Sequence, residues 1–580
     1  MAEPTIDKKQ IIQTLENIGT ILMLKGENPF KSRAYFNAAR MLETRNDDIV
    51  ALIQSGEISN IKGIGKALSE KLSILVKEGR LPYYEKLKES IPPGLMDMLN
   101  IPGMGPKKVK AVYDQLGIKS VGELEYACNE NRLRDLPGFG LKSQEKILKG
   151  IELRKKYSER FLFPIAWQQA LQLTDYMRKN PQLIRLTSAG SLRRKKETVK
   201  DIDLVGSCKE EQRLSIMDYF VRYPLTESIV NRGQTKSTIL LQSGISCDLR
   251  LVDDEQFPFA LHHSTGSKEH NTAMRHRAKT RHLTMNEYGL FPRGSEQSLP
   301  CSNEVEIFQT LQLDFIPPEL RENQGEIEAA EKNNLPELIT EDQIKGVFHV
   351  HSVYSDGAAS IADLVRACRN KGYHYLGISD HSKSVFYAHG LSEDRVKMQH
   401  EEIDRLNSGM NDFVIFKGIE VDILNDGGLD YDDEVLASFD FVIASVHSSF
   451  RMSKEEMTHR ICQALKHPLV TMLGHPTGRL LLAREPYPLD MRQVLETAAE
   501  QNKIIEINAN PHRLDLDWRW GKLANQLGVK TSINPDAHTL AGLEDIKWGV
   551  GIARKGWFTA EQVLNTHPVQ KIKQLFHCPD

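Results

Sequence analysis

From residue 345 onward, short apolar runs stop one after another on residue types that ligate metals, and no other pattern constrains the fold as tightly. The runs end at His349-Val-His351, Ile378-Ser-Asp-His381, Gly418-Ile-Glu420, Ser445-Val-His447, Leu473-Gly-His475, Glu506-Ile-Asn508 and Asn534-Pro-Asp-Ala-His538. Helical stretches separate them, and alternating β and α elements predict a parallel, barrel-like sheet. In such barrels chemistry collects at the C-terminal strand ends. Adding Asp356, from Tyr354-Ser-Asp-Gly357, gives nine candidate ligands: His349, His351, Asp356, His381, Glu420, His447, His475, Asp536 and His538. A single histidine after a strand is ordinary packing; a set of nine recurring at one end of a barrel is not. Imidazole and carboxylate without thiolate suit Mn²⁺, Zn²⁺ or Fe, and nine ligands suffice for two or three ions. Asp380 and His512 read as supporting residues, and Arg479 as either a phosphate ligand or a surface ion pair.

A second constellation runs from Ser188 to Val205. Asp201-Ile-Asp203 lies in an apolar run with strand character, and alternation puts both carboxylates on one face. Paired carboxylates attract a hard cation such as Mg²⁺ or Mn²⁺. Upstream, Gly190-Ser191 allows close backbone approach to a phosphate, with Arg193 and Arg194 adding charge. A further strand, Ser246–Val252, offers Asp248 as a third carboxylate. After it come Thr265-Gly266-Ser267 and a basic helix with Arg275, Arg277, Lys279 and Arg281. A phosphate cradle beside a carboxylate metal site is the requirement of nucleotidyl transfer.

The N-terminal region reads as helical, and one unit recurs three times. Ile61-Lys-Gly63-Ile-Gly65, Ile101-Pro-Gly103-Met-Gly105 and Leu136-Pro-Gly138-Phe-Gly140 each lead into a lysine-bearing helix. Glycine permits the tight turn, and the helix N-terminus offers free N–H groups to a phosphate. Such helix-hairpin-helix units grip a nucleic-acid backbone without reading its sequence.

Charge supports this division. Residues 1–310 hold 47 Lys and Arg against 38 Asp and Glu, a net of +9, whereas residues 311–580 hold 28 against 40, a net of −12. Fourteen of the nineteen histidines lie in the second, acidic part. A basic half suits a polyanion and an acidic, His-rich half suits cations. No apolar run reaches membrane-spanning length, the N-terminus lacks a secretory h-region, and seven scattered cysteines form no Cys-x-x-Cys pair. A cytoplasmic protein with reduced thiols is expected.

Gly190-Ser191, Arg194, Asp201-x-Asp203, Asp248, Thr265-Gly266-Ser267, Asn271 and Arg275 together resemble bacterial family X DNA polymerases, relatives of DNA polymerase beta. The nine C-terminal ligands resemble the PHP (polymerase and histidinol phosphatase) domain attached to those polymerases. The resemblance implies a multidomain chain. A lyase-like helical domain would occupy 1–90, fingers-equivalent helices 91–160, and an α+β nucleotidyltransferase palm with its nucleotide-selecting subdomain 161–315. A polar, proline-bearing linker would span 316–344, ahead of a distorted (β/α)7 PHP barrel at 345–580. It further implies that Asp201 and Asp203 bind two Mg²⁺ or Mn²⁺ ions, that Asp248 binds the catalytic one, and that Ser191 and Arg194 hold the triphosphate. Asn271 would contact the incoming base and Arg275 the template side. Expected partners are gapped or nicked duplex DNA and deoxynucleoside triphosphates, acted on by a monomer. The implied activities are gap-filling DNA synthesis in base excision repair and Mn²⁺-dependent 3′–5′ exonuclease or other 3′-end processing.

Four positions depart from the family pattern. Lys195 and Lys200 stand where glycines are common, and His263-Ser264 where an aromatic pair is usual. They motivate an alternative, a PHP nuclease whose polymerase module is weak or mainly binds DNA; a non-catalytic DNA-end scaffold is the alternative of another class. Lys71, on the helix after the first Gly-x-Gly turn, matches the family's Schiff-base lysine, which must be neutral to attack. A lysine contacting DNA phosphate fits the same position.

Overall fold

The computed structural model describes residues 6, 8–43, 49–61, 64–101, 103–134, 136–155 and 160–576. It divides into two compact units, Met1–Arg154 and Lys155–Asp580. Among the described residues, no helix is long and apolar enough to cross a membrane.

The first unit is helical with two adjoining cores. One gathers Ile11, Leu15, Ile18, Leu72 and Leu75; the other gathers Leu95, Met98, Val109, Val112, Phe139 and Ile147. The glycine pairs divide their labour. Gly103 (φ 92°) and Gly138 (φ 88°) take left-handed conformations that a side chain would strain. Gly65, Gly105 and Gly140 immediately precede the helices Lys66–Glu78, Pro106–Leu116 and Leu141–Lys155, and a Cβ on any of them would meet nothing within 4 Å. Gly63 lies outside the described residues. Lys108 donates to Ser143 Oγ at 2.9 Å, tying the helix Pro106–Leu116 to the helix Leu141–Lys155.

The second unit holds a five-stranded palm sheet: β1 (Arg185–Ser188), β2 (Asp201–Ser207), β3 (Thr226–Arg232), β4 (Lys236–Leu241) and β5 (Ser246–Val252). The order is β1-β2-β5-β4-β3, and only β2 and β5 run parallel. Ile202, Leu204, Cys247 and Leu249 face a core with Ala170, Leu173 and Met177 of the helix Phe163–Met177 and with Ile216 and Phe220 of Arg213–Val221. Strand alternation turns Asp201, Asp203 and Asp248 to the other face.

The expected linker at 316–344 is instead packed structure. Ile316, Leu320, Ile327 and Ala330 join a core with Phe259, Met274 and Phe308, and Ile339 joins the barrel core. Composition misleads here because three of its charges, Glu319, Arg321 and Glu326, are buried. Arg321 is 0 % exposed, donates to Glu304 at 2.6 Å and to the Ile316 carbonyl at 2.9 Å, and Glu326 meets His270 Nδ1 at 2.7 Å. Paired and hydrogen-bonded charges can be buried where isolated ones cannot.

Seven strands then form one parallel sheet in chain order: β6 (Gly346–Val350), β7 (Tyr375–His381), β8 (Val414–Asp422), β9 (Phe441–Ser445), β10 (Met472–Leu473), β11 (Ile504–Asn508) and β12 (Thr531–Asn534). A Val350–Ala537 bridge nearly closes it. Phe348, Tyr375, Phe416, Phe441 and Phe576 pack inside, mostly from strand starts, and so fill the end opposite the candidate ligands. Gly377 and Gly418 make room: a Cβ on either would collide with the Phe441 ring. Phe441→Ala is expected to cost about 3–5 kcal/mol. All five tryptophans lie beyond residue 154, so the shift is read as a lower urea midpoint in tryptophan fluorescence.

Candidate active sites

The barrel brings all nine C-terminal candidates together. His351, Asp356, His381 and His538 form one group, His349, His351 and Asp536 a second, and His381, Glu420 and His447 a third. Within each group the potential ligand atoms lie within 4.8 Å of one another. His475 joins through Nε2, 2.9 Å from Glu420 Oε1. Eight of the nine are buried and His447 is half-buried. Three ligands, His349 (φ 55°), His475 (φ 25°) and Asp536 (φ 50°), hold left-handed backbone, a strain of the kind that gathers at functional sites.

Electrostatics divide the imidazoles. Burial, with His538 and His381 nearby, pushes His351 down to about 3. Burial and then Arg513 lower His475 to about 4. Burial also opposes charge on His381, yet Asp356 and Glu420 outweigh it and lift the ring to about 9. Both ring nitrogens of His351, together with His349 Nε2, Glu420 Oε2 and Asp356 Oδ2, are buried without an aligned hydrogen-bond partner. His351 Nε2 does lie 3.2 Å from Asp536 Oδ1, but off the line a hydrogen bond needs. Unpaired buried nitrogen and oxygen lone pairs are costly, and divalent cations fit this donor set.

Sequence reasoning missed Glu506. Its Oε1 meets His349 Nδ1 at 2.6 Å and accepts from Asn534 Nδ2 at 2.8 Å. Its Oε2 accepts from the His475 N–H at 2.6 Å and from Asn508 Nδ2 at 3.1 Å. With Nδ1–H donating to Glu506, His349 presents the Nε2 lone pair to the cluster. The signal was its place in the strand-end motif Glu506-Ile-Asn508. Asp380 has a related part: it accepts from the Ser352 N–H and hydroxyl at 2.8 and 2.6 Å, from the Ser355 N–H at 3.1 Å and from Gln399 at 2.6 Å, fixing the loop that carries Asp356. Arg479 is neither exposed nor free for a phosphate. It donates to the Arg513 and Leu514 carbonyls and to Asp517, clamping that loop.

In the palm, Asp203 and Asp248 are register partners on the parallel strands β2 and β5. Asp248 accepts from Thr238 Oγ1 at 2.6 Å and pairs with Lys236 at 2.7 Å. Burial, followed by the Asp201 and Asp248 charges, raises Asp203 to about 6, and a bound cation would reverse that repulsion. Gly190 (φ 61°) backs directly onto Asp203, where a Cβ would strike the carboxylate. Ser191 is half-buried in the short helix Gly190–Arg193. The palm triad is looser than the barrel cluster: among the described residues, the groups of three or more ligand atoms within 4.8 Å all belong to the barrel.

The basic loop beside the triad is not free charge. Arg193 pairs with Glu304 at 2.5 Å, Arg194 Nε donates to Glu322 at 3.0 Å, and Arg194 Nη1 donates to the Thr265 carbonyl. Lys195 (φ 51°) keeps a glycine-like backbone and reaches Glu319 at 3.6 Å, whereas Lys200 is exposed. Gly266 (φ 70°) lies against the Arg194 guanidinium. Asn271 Nδ2 donates to the His263 carbonyl at 2.7 Å, and Arg275 is exposed. Arg277 is buried, donating to the Leu311 and Gln312 carbonyls and to Glu331, so it leaves the basic face. In the first unit, Lys71 Nζ donates to the Tyr35 hydroxyl at 2.5 Å and sits 3.8 Å above the Tyr83 ring.

Four domain families match the chain: a helix-hairpin-helix domain at 6–81, a SAM-like helix-hairpin-helix tandem at 95–154, the DNA polymerase beta thumb at 260–322 and the PHP domain at 348–510. The DNA polymerase/3′-5′ exonuclease PolX of Bacillus subtilis (strain 168) is 40% identical over 98% of each chain. This chain belongs to the PolX family. The chain is also 32% identical to a probable phosphatase of Thermoanaerobacter sp. (strain X514), over 39% of this chain and 91% of that one. A probable phosphatase of Shewanella sediminis is 25% identical over 38% and 89%. The expected fold holds: helix-hairpin-helix domains, a polymerase-beta-type thumb and a nearly closed seven-stranded PHP barrel in a PolX homologue.

Glu506→Gln is expected to keep the fold and lower the barrel's affinity for divalent cations about 10–100-fold. Metal content after graded chelator dialysis measures this.

Proposed function

We propose that this PolX-family chain both lengthens and shortens DNA 3′ ends. Template-directed nucleotide addition is assigned to the palm and 3′–5′ exonuclease action to the barrel. The carrying observation is 40% identity over 98% of the chain to a polymerase/exonuclease, in a chain that carries both the palm carboxylates and the barrel's His and carboxylate set.

At the palm, Asp201, Asp203 and Asp248 would hold Mg²⁺ or Mn²⁺, which supplies charge neutralisation for the attacking hydroxyl and the leaving pyrophosphate. Ser191 and Arg194 would hold the triphosphate, Gly266 gives Arg194 room, and Asn271 and Arg275 face base and template. In the barrel the nine ligands would hold two or three ions, Mn²⁺ foremost, with Zn²⁺ or Fe as alternatives; the ions stabilise charge on the cleaved phosphodiester. Glu506 fixes the His349 ring and Asp380 fixes the Asp356 loop, so the residues hold their geometry without rearrangement. Gly65, Gly105 and Gly140, open at helix N-termini, would receive the phosphates of gapped or nicked duplex DNA, joined by the turns at Gly103 and Gly138. Lys71, resting between two tyrosines, is assigned to the same DNA-facing surface, with lyase chemistry as the second reading. The working form is a cytoplasmic monomer.

A 5′-labelled gapped duplex with Mn²⁺ tests both halves on one strand. Added deoxynucleotides are expected to lengthen it, with at least a hundredfold loss in Asp203→Ala, about the scale of losing a transition-state charge contact. Without deoxynucleotides it should shorten, with a similar loss in His349→Ala. Wild type that only shortens would leave the nuclease standing and remove the polymerase.

A further inference from the structure

Four side chains from three parts of the second unit converge behind the palm's phosphate loop. Lys555, at the end of the barrel helix Ile546–Lys555, is 1 % exposed. Its ammonium donates to Glu322 Oε1 at 2.5 Å and to the Arg194 and Glu319 carbonyls at 3.1 and 3.2 Å. Glu322, which ends the thumb segment, shares that same oxygen with Arg194 Nε at 3.0 Å, while its Oε2 is 3.8 Å from Lys196. Arg194 thus spends Nε on Glu322 and Nη1 on the Thr265 carbonyl, and Nη2 has no hydrogen-bond partner among the described residues.

This arrangement poses an electrostatic problem. A carboxylate bonded to Arg194 fixes the guanidinium plane but also cancels the charge that a triphosphate needs. A second buried cation on the same carboxylate removes the conflict. We propose that Glu322 and Lys555 are positioning residues for nucleotide addition: Glu322 aims Arg194, and Lys555 of the barrel neutralises Glu322 so that Arg194 keeps its charge for the triphosphate. The inference rests on the reading of Arg194 as a triphosphate ligand. It makes the barrel a contributor to the polymerase site, apart from its own metal chemistry. Burial pulls Lys555 down to about 8, with Glu322 opposing, and three oxygen acceptors surround its Nζ.

The test uses the full chain as wild type, Lys555→Met, Glu322→Gln and the double variant. KM and kcat for single-nucleotide gap filling are measured beside the Kd of an Mn²⁺–deoxynucleoside triphosphate by calorimetry, with barrel nuclease rate and thermal midpoint on the same preparations. Lys555→Met is expected to raise KM and Kd about tenfold, the scale of a lost charged hydrogen bond, leaving kcat and nuclease rate within about twofold. Adding Glu322→Gln removes the uncompensated charge and keeps an oxygen acceptor for Arg194 Nε, so the double variant recovers most of the lost affinity. Such recovery is a coupling that a purely structural role does not produce. A double variant as weak as Lys555→Met overturns the proposal, as does a joint fall of kcat, nuclease rate and thermal midpoint. If wild type binds the nucleotide without extending DNA, the polymerase reading falls and the Kd series still decides this one.

Discussion

Glu420 lies within 4 Å of five histidine rings: His381 at 2.8 Å, His475 at 2.9 Å, His447 at 3.2 Å, His349 at 3.3 Å and His351 at 3.8 Å. Much of the barrel follows from bringing that many polar groups to one buried point. Six of its seven strand regions contribute a ligand at or just past the same end. Ordinary extended backbone does not aim them all, so three ligands adopt left-handed conformations. The opposite end of the barrel then has no polar duty, and a cluster of phenylalanines closes it.

The same economy of charge governs the contact between palm, thumb and barrel. Arg193 to Glu197 form five consecutive charged residues, and each finds a partner outside its own loop: Glu304, Glu322, Glu319, Glu322 again, and Trp518 with Arg519. Trp548 sits edge-on to Phe163 at 5.5 Å and packs against both the palm and barrel cores. Palm and barrel are thus joined by a mixed polar and aromatic interface.

The barrel was legible in the sequence because its strands are buried on both faces, so apolar runs end abruptly where the ligands begin. The palm carboxylates were legible through strand alternation. Glu506 was not, since its partner His349 is 157 positions away and a glutamate inside a strand end gives no local sign of pairing. The segment 316–344 misled for a related reason. Glu319, Arg321 and Glu326 read as solvent-facing until their partners are known, and those lie in other elements. Lys195 read as the loss of a family glycine, whereas its glycine-like φ and its reach to Glu319 are visible only in three dimensions.

Residue 344 looks, from composition, like a natural place to separate a polymerase from a nuclease. A chain truncated there would leave Glu319 without Arg554, Glu322 without Lys555, and Glu197 without Trp518 and Arg519. Three carboxylates would each lose their barrel partners in a single cut, leaving Glu319 only Lys195 and Glu322 only Arg194 and Lys196 among their ion pairs. The two halves are therefore poor modules for exchange. A barrel transplanted from a relative must bring the equivalents of residues 518–519 and 548–555 with it, and the polymerase surface facing them has to change in step.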